Sequence, residues 1–116
     1  MVKYLFLLYA DEGRMPAPGS ADFDSQNEAY GAFFEEVSRN GVFQSGDPVQ
    51  ASSTARTVRS RDGNVESTPG PHGNGPEQLI GFYVLDCPNE GEAVKYASLI
   101  PAAAMGSVEV RPILQM

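Results

Sequence analysis

Residues 2–12 read "VKYLFLLYADE". Side chains along a strand alternate between two faces, and here both sets are apolar: Tyr4, Phe6 and Leu8 on one, Leu5, Leu7 and Tyr9 on the other. A strand of this kind needs cover on both sides, unlike the half-wet strand of an open antiparallel sheet. The lysine ahead of seven apolar residues invites a comparison with a signal peptide. A secretory signal needs a longer apolar run and a small-residue cleavage site, whereas Asp11 and Glu12 follow this run at once. No stretch approaches the ~20 apolar residues of a membrane span.

Outward from this strand, the chain alternates strand and helix signals. Residues 11–21 ("DEGRMPAPGSA") read as loop,. Ser25-Gln26-Asn27-Glu28 has capping-box spacing, and behind it Tyr30, Phe33, Phe34 and Val37 recur at helical intervals until Asn40-Gly41,. A short strand over 42–50 follows, interrupted by Gly46 and Pro48. The segment "TARTVRSRDGNVEST" reads as a hairpin on an Asp62-Gly63 type I′ turn, with Arg59 opposite Glu66,. Residues 79–87 form a central strand. Asn89 repeats the capping spacing for a helix to Ile100, and "SVEVRPIL" over 107–114 alternates as a last strand,.

The order is β-α-β(ββ)-β-α-β: α+β, a ferredoxin-like βαββαβ with an extra β-hairpin, in one domain over residues 1–116. Two helices cover only one face of such a sheet. The other face would leave an apolar patch larger than a monomer ordinarily exposes. A second copy of the sheet is the simplest cover, so a homodimer is expected.

Composition narrows the function classes. Fifteen acidic against eight basic residues give a net charge of −7. That disfavours direct nucleic-acid binding, which relies on clustered Lys and Arg, and disfavours acidic membrane surfaces. The single cysteine, Cys87, excludes an internal disulfide and fits a reducing, cytoplasmic setting,. One histidine and one cysteine cannot build a zinc site within a protomer, so no metal and no cofactor are expected. Phosphate-binding glycine loops and nucleophile elbows are absent.

Three groups of residues bear on chemistry. His72 lies in "STPGPHGNGPEQLIGFY" (67–83), which holds four glycines, three prolines and the chain's only side chain titrating near neutral pH,. It reads either as a general acid–base group or as packing. Tyr9, Asp11 and Glu12 stand at the end of the first strand, where ligands of barrels gather and a phenol beside paired carboxylates suits cation binding or proton transfer; the plainer reading has Asp11 capping a turn. Glu109 and Arg111 alternate with Val108 and Val110, so the pair faces away from the helices if the valines pack on them. It would serve either a ligand or an ion pair at a dimer seam.

Four segments together carry a resemblance: "KYLFLLYADE", "TARTVRSRDGNV", "EQLIGFYVLDCPNEGEAVKYA" and "IPAAAMGSVEVRPI". Over nearly the whole chain they resemble the YCII-related proteins, in the branch named for an Asp-Gly-Pro-Phe (DGPF) motif. The resemblance implies a dimeric α+β barrel, in which two ferredoxin-like sheets face each other. This chain departs at the motif, which becomes Pro69-Gly70-Pro71-His72. Gly70 and Pro71 keep the turn, while the aspartate is lost and histidine replaces phenylalanine. The resemblance implies three functional readings. One is a metal-independent acid–base enzyme with a small-molecule substrate in the barrel cavity, in which His72 acts, Asp11 or Glu12 orients it and Arg111 holds an anion. The second is an accessory binding protein beside an extracytoplasmic-function sigma factor. The third is a degenerate barrel whose dimer is simply stable.

Overall fold

The computed structural model describes residues 1–116, and it opens on the two-faced strand, β1 (Val2–Asp11). Helix α1 (Ala21–Arg39), β2 (Phe43–Pro48), β3 (Arg56–Arg61), β4 (Asn64–Pro69) and β5 (Glu77–Cys87) follow. Helices α2 (Glu90–Ser98) and α3 (Ala102–Met105) precede the last strand, β6 (Ser107–Pro112). Two 3-10 turns, at Glu12–Arg14 and Ser52–Thr54, complete the inventory.

Four strands form one antiparallel sheet in the order β2-β5-β1-β6. This is the ferredoxin-like arrangement, with the hairpin inserted between the second and third strands of the sheet. β3 and β4 make a separate two-stranded sheet. Its register pairs Arg59 with Glu66 as the turn chemistry requires, and Asp62 (φ 51°) and Gly63 (φ 80°) adopt the positive φ of the type I′ turn,.

The core forms on one face of the four-stranded sheet. Tyr4, Phe6, Leu8 and Leu85 are buried there with Phe33 and Val37 of α1, Ala93 and Ala97 of α2, and Ile100. Val108 and Val110 pack against the same cluster. The Phe33 and Tyr83 rings meet at 5.0 Å between centroids. The opposite face carries Leu5, Leu7, Phe82 and Val84, paired in register as Leu5 with Val84 and Leu7 with Phe82. None of these four belongs to the core, and each remains partly exposed. The apolar second face of β1 is thus real, and nothing within the chain covers it.

Several element boundaries are corrected. Helix α1 begins at Ala21, capped by the Ser20 hydroxyl accepting the Phe23 N–H at 3.1 Å, and not at Ser25. Asp22 and Asp24 in its first turn favour the earlier start through the helix dipole,. Helix α2 ends at Ser98 instead of Ile100, and Pro101 then caps the short helix α3, a position where its missing N–H costs nothing. The last strand ends at Pro112 instead of 114, and β5 begins two residues early, at Glu77.

Candidate functional site

Tyr9, at the far end of β1, lines a cleft of about 870 Å³ between the sheet and the base of the hairpin. His72, Arg56, Glu77 and Gln78 line it too. The turn holding His72 is built as its composition implies. Gly70 takes a φ of 107°, the Gly70 N–H donates to the Ala55 carbonyl at 2.8 Å, and the Thr57 hydroxyl donates to the Gly70 carbonyl at 2.9 Å. The Gln78 side-chain amide reaches back to the carbonyls of Gly73 and Gly75. His72 is therefore positioned, but its neighbour is a cation. The Arg59 guanidinium approaches its Nδ1 at 3.5 Å, and arginine can only donate. No carboxylate oxygen lies within 4.0 Å of its ring nitrogens.

The two carboxylates expected to orient His72 are engaged elsewhere. Asp11 caps the first 3-10 turn, its Oδ1 accepting the Gly13 N–H at 2.9 Å, with Arg14 at 3.7 Å from Oδ2. This is the turn-capping reading. Glu12 reaches across to the second 3-10 turn. Its Oε2 accepts the Ser52 N–H at 2.8 Å and its Oε1 the Ser52 hydroxyl at 2.5 Å. The hydroxyl bond first and the backbone bond second hold the Glu12 carboxyl below its ordinary range. A carboxylate with both oxygens occupied and its proton disfavoured is a clamp more than a base.

Glu109 and Arg111 lie on the helix-free face, opposite Leu7 and Leu5 in register, and pair with each other at 2.9 Å. Val108 and Val110 pack on the helix side, so the alternation places the pair as its pattern implies.

Glu12 also borders a second chamber, which sequence reading missed. It occupies about 630 Å³ between the N-terminal half of α1 and the end of the sheet at β2 and β5. The first half of α1 stands off the sheet, since only Phe33 and Val37 of this helix are buried. Phe23, Tyr30, Phe34, Phe43, Ile80 and Tyr83 give apolar walls, with Gln26 and Asn27 as polar points. Phe34 and Phe43 meet edge-on at 5.0 Å. Gly46 leaves room for the Tyr83 ring, because a Cβ there would lie 2.5 Å from Tyr83 Cδ1. Burial raises the Tyr30 phenol to about 12, the facing Tyr83 adds to the rise, and a bond from the Ala102 backbone offsets part of it. Burial raises Tyr83 as well. Both phenols stay protonated at neutral pH. The signal in the sequence was Phe23 and Tyr30, seven residues apart on one helix stripe, which reads as ordinary core until the helix is seen to lift away.

The Val49–Ala51 segment walls both spaces, and the Glu12–Ser52 clamp stands at its end. No group of three His, Cys, Asp or Glu side chains converges anywhere in the chain, and no helix is long and apolar enough to cross a membrane.

An uncharacterized protein of Rhizobium meliloti (strain 1021) is 39% identical over 61 residues, which cover 51% of this chain and 49% of the relative. The match thus spans about half the length of that protein. The YCII-related domain matches residues 2–116. The chain belongs to the YCII-related domain family.

Proposed function

We propose that this protein, a single YCII-type domain of the DGPF branch, binds a small, flat, largely apolar molecule in the chamber beneath α1. The observation that carries the reading is the chamber itself. Its volume lies in the range of small-molecule sites, and an aromatic lining with a few polar points is what such sites use,. Protonated phenols at Tyr30 and Tyr83 suit an acceptor on the ligand, a carbonyl or ether oxygen. The geometry supports binding ahead of acid–base catalysis. His72 faces Arg59 in a separate cleft, and neither Asp11 nor Glu12 orients it. The cleft at Tyr9 and His72, with Arg56 beside it, suits an anionic group as a subsidiary role.

The same reading takes the protein as a homodimer whose sheets meet through Leu5, Leu7, Phe82 and Val84, in a reducing compartment where buried Cys87 stays a thiol. A thermal-shift panel of neutral aromatic ketones and ethers tests the binding. Stabilisation by a panel member, lost in Tyr83→Phe, supports it; a flat response across the panel contradicts it.

A further inference from the structure

Arg14, Arg39, Lys95 and Arg111 each pair with a carboxylate. The other four of the eight basic residues, Lys3, Arg56, Arg59 and Arg61, have no carboxylate within 4.0 Å. Three of these four belong to β3. Partners are not scarce in a chain with fifteen acidic residues. Arg59 even stands opposite Glu66 in the hairpin register, yet no ion pair joins them. Its guanidinium turns to His72 instead, with Nη2 at 3.5 Å from Nδ1. A neutral imidazole nitrogen occupies one guanidinium N–H and leaves the charge unpaired.

His72 opens a loop with the same property. The backbone N–H groups of His72, Gly73, Asn74 and Gly75 make no hydrogen bond within the chain. The carbonyls of Gly73 and Gly75, by contrast, accept from the Gln78 side-chain amide at 3.0 and 2.8 Å. Two of the loop's acceptors are thus occupied while its donors are free. Nothing stands within 4 Å of where a Cβ would lie on Gly73 or Gly75, so a ligand can approach the bare backbone there.

His72, Gly73 and Gly75 line the cleft of about 870 Å³ at the base of the hairpin. Arg56 lines it as well. Its guanidinium is oriented by neutral partners, the Ser67 hydroxyl at 2.9 Å and the Ser67 carbonyl at 3.1 Å. Glu77 is the one carboxylate of the lining, and it is engaged in accepting the Ser107 hydroxyl at 2.8 Å. Tyr9 and Leu79, paired in register, give the cleft an apolar side.

We propose that this cleft binds a small organic phosphate monoester, its phosphate oxygens on the loop N–H groups and the Arg59 guanidinium, its organic body along Tyr9 and Leu79. Free backbone N–H groups and a forked guanidinium are the donors that phosphate sites use. A monoester carries about two negative charges at pH 7, enough to neutralise both Arg59 and Arg56. The proposal rests on the anion role given to this cleft above, adds which anion it is, and does not depend on the chamber.

Calorimetric titration of the full chain with phenyl phosphate tests it, with benzoate as the carboxylate control. The wild type is expected to bind phenyl phosphate saturably, with the amide signals of residues 72–75 shifting in NMR spectra, and to bind benzoate about tenfold more weakly or worse. Arg59→Gln is expected to raise the phenyl phosphate Kd about tenfold. Arg61→Gln, on the same hairpin face but nearer its tip, should leave it within about twofold, because a more distant exposed charge is screened. Both positions are exposed, so circular dichroism should show the fold unchanged. Benzoate binding as tightly as phenyl phosphate overturns the phosphate and spares the anion role. Binding of neither overturns both. Equal losses in the two variants, or binding that leaves the loop amides unshifted, overturn the site.

Discussion

Glu12 holds Ser52 by two bonds at once, taking its backbone N–H at 2.8 Å and its hydroxyl at 2.5 Å. Forty residues apart in sequence, the two fix the end of β1 to the 3-10 turn after β2, and so fix the wall shared by the two cavities. The Glu12 carboxyl is held below its ordinary value of 4.5. A depressed carboxyl contributes stability above its unfolded pKa and loses it as pH falls through the folded one. Urea unfolding across this range is expected to show weakening below about pH 4.5 in the wild type. Glu12→Gln should be less stable at neutral pH and show a smaller part of that acid loss. An unchanged acid limb in the variant would show that the clamp contributes nothing.

His72 is exposed, bounded by Arg59 and the Gly70-Pro71 turn. If it fills a loop position and no more, His72→Phe leaves stability within about 0.5 kcal/mol, the usual range for an exposed site. It should also leave chamber binding intact. A loss of more than that in chemical denaturation, or of ligand binding, would restore a role for the imidazole.

Gly106 sits where β6 begins, with the backbone of Tyr9 against it. A Cβ there would lie 2.1 Å from the Tyr9 carbonyl oxygen and 2.9 Å from the Ala10 Cα. Both neighbours are backbone of β1 and cannot swing aside, so Gly106→Ala must displace β6. The expected cost is about 1–3 kcal/mol, the range for overpacking. A melting temperature equal to wild type would contradict it.

The two phenols of the chamber give an alkaline signature. Tyr30, raised to about 12 from an ordinary 10.0, favours the folded state only while it is protonated. Its contribution is complete below pH 10.0 and disappears as pH climbs toward 12,. Ultraviolet absorbance should therefore show a late phenol ionisation that accompanies unfolding. Tyr30→Phe should remove that late component. A single ordinary phenol titration in the wild type would mean the chamber is wetter than its lining implies.

Much of the fold was legible because its signals are local. The Asp62-Gly63 turn sets the hairpin register by itself, and the period-two pattern of β6 puts Val108 and Val110 inside with Glu109 and Arg111 outside. The doubled apolar pattern of β1 announced an uncovered face. The helix boundaries were harder, since Ser20 and Ser25 both precede acceptable first turns and the acidic first turn after Ser20 favours the earlier start,. The site was the least legible part. Tyr9 and His72 do share a cleft, but which carboxylate meets which donor depends on contacts spanning forty residues, as with Glu12 and Ser52. The chamber depends on α1 lifting from the sheet, and periodicity carries no record of that.

The most direct measurement of the central claim is a fluorescence titration with N-phenylnaphthylamine, a neutral aromatic probe that brightens when it leaves water. The wild type is expected to bind it saturably, one per chain. Phe23→Asp, which puts a charge in the chamber lining from an accommodating first-turn position of α1,, should abolish binding while far-ultraviolet circular dichroism stays unchanged. Leu7→Asp, on the opposite face of the sheet, should retain it. No saturable brightening in the wild type would contradict the account. Binding that survives Phe23→Asp and is lost in Leu7→Asp would also contradict it, by placing the ligand on the helix-free face.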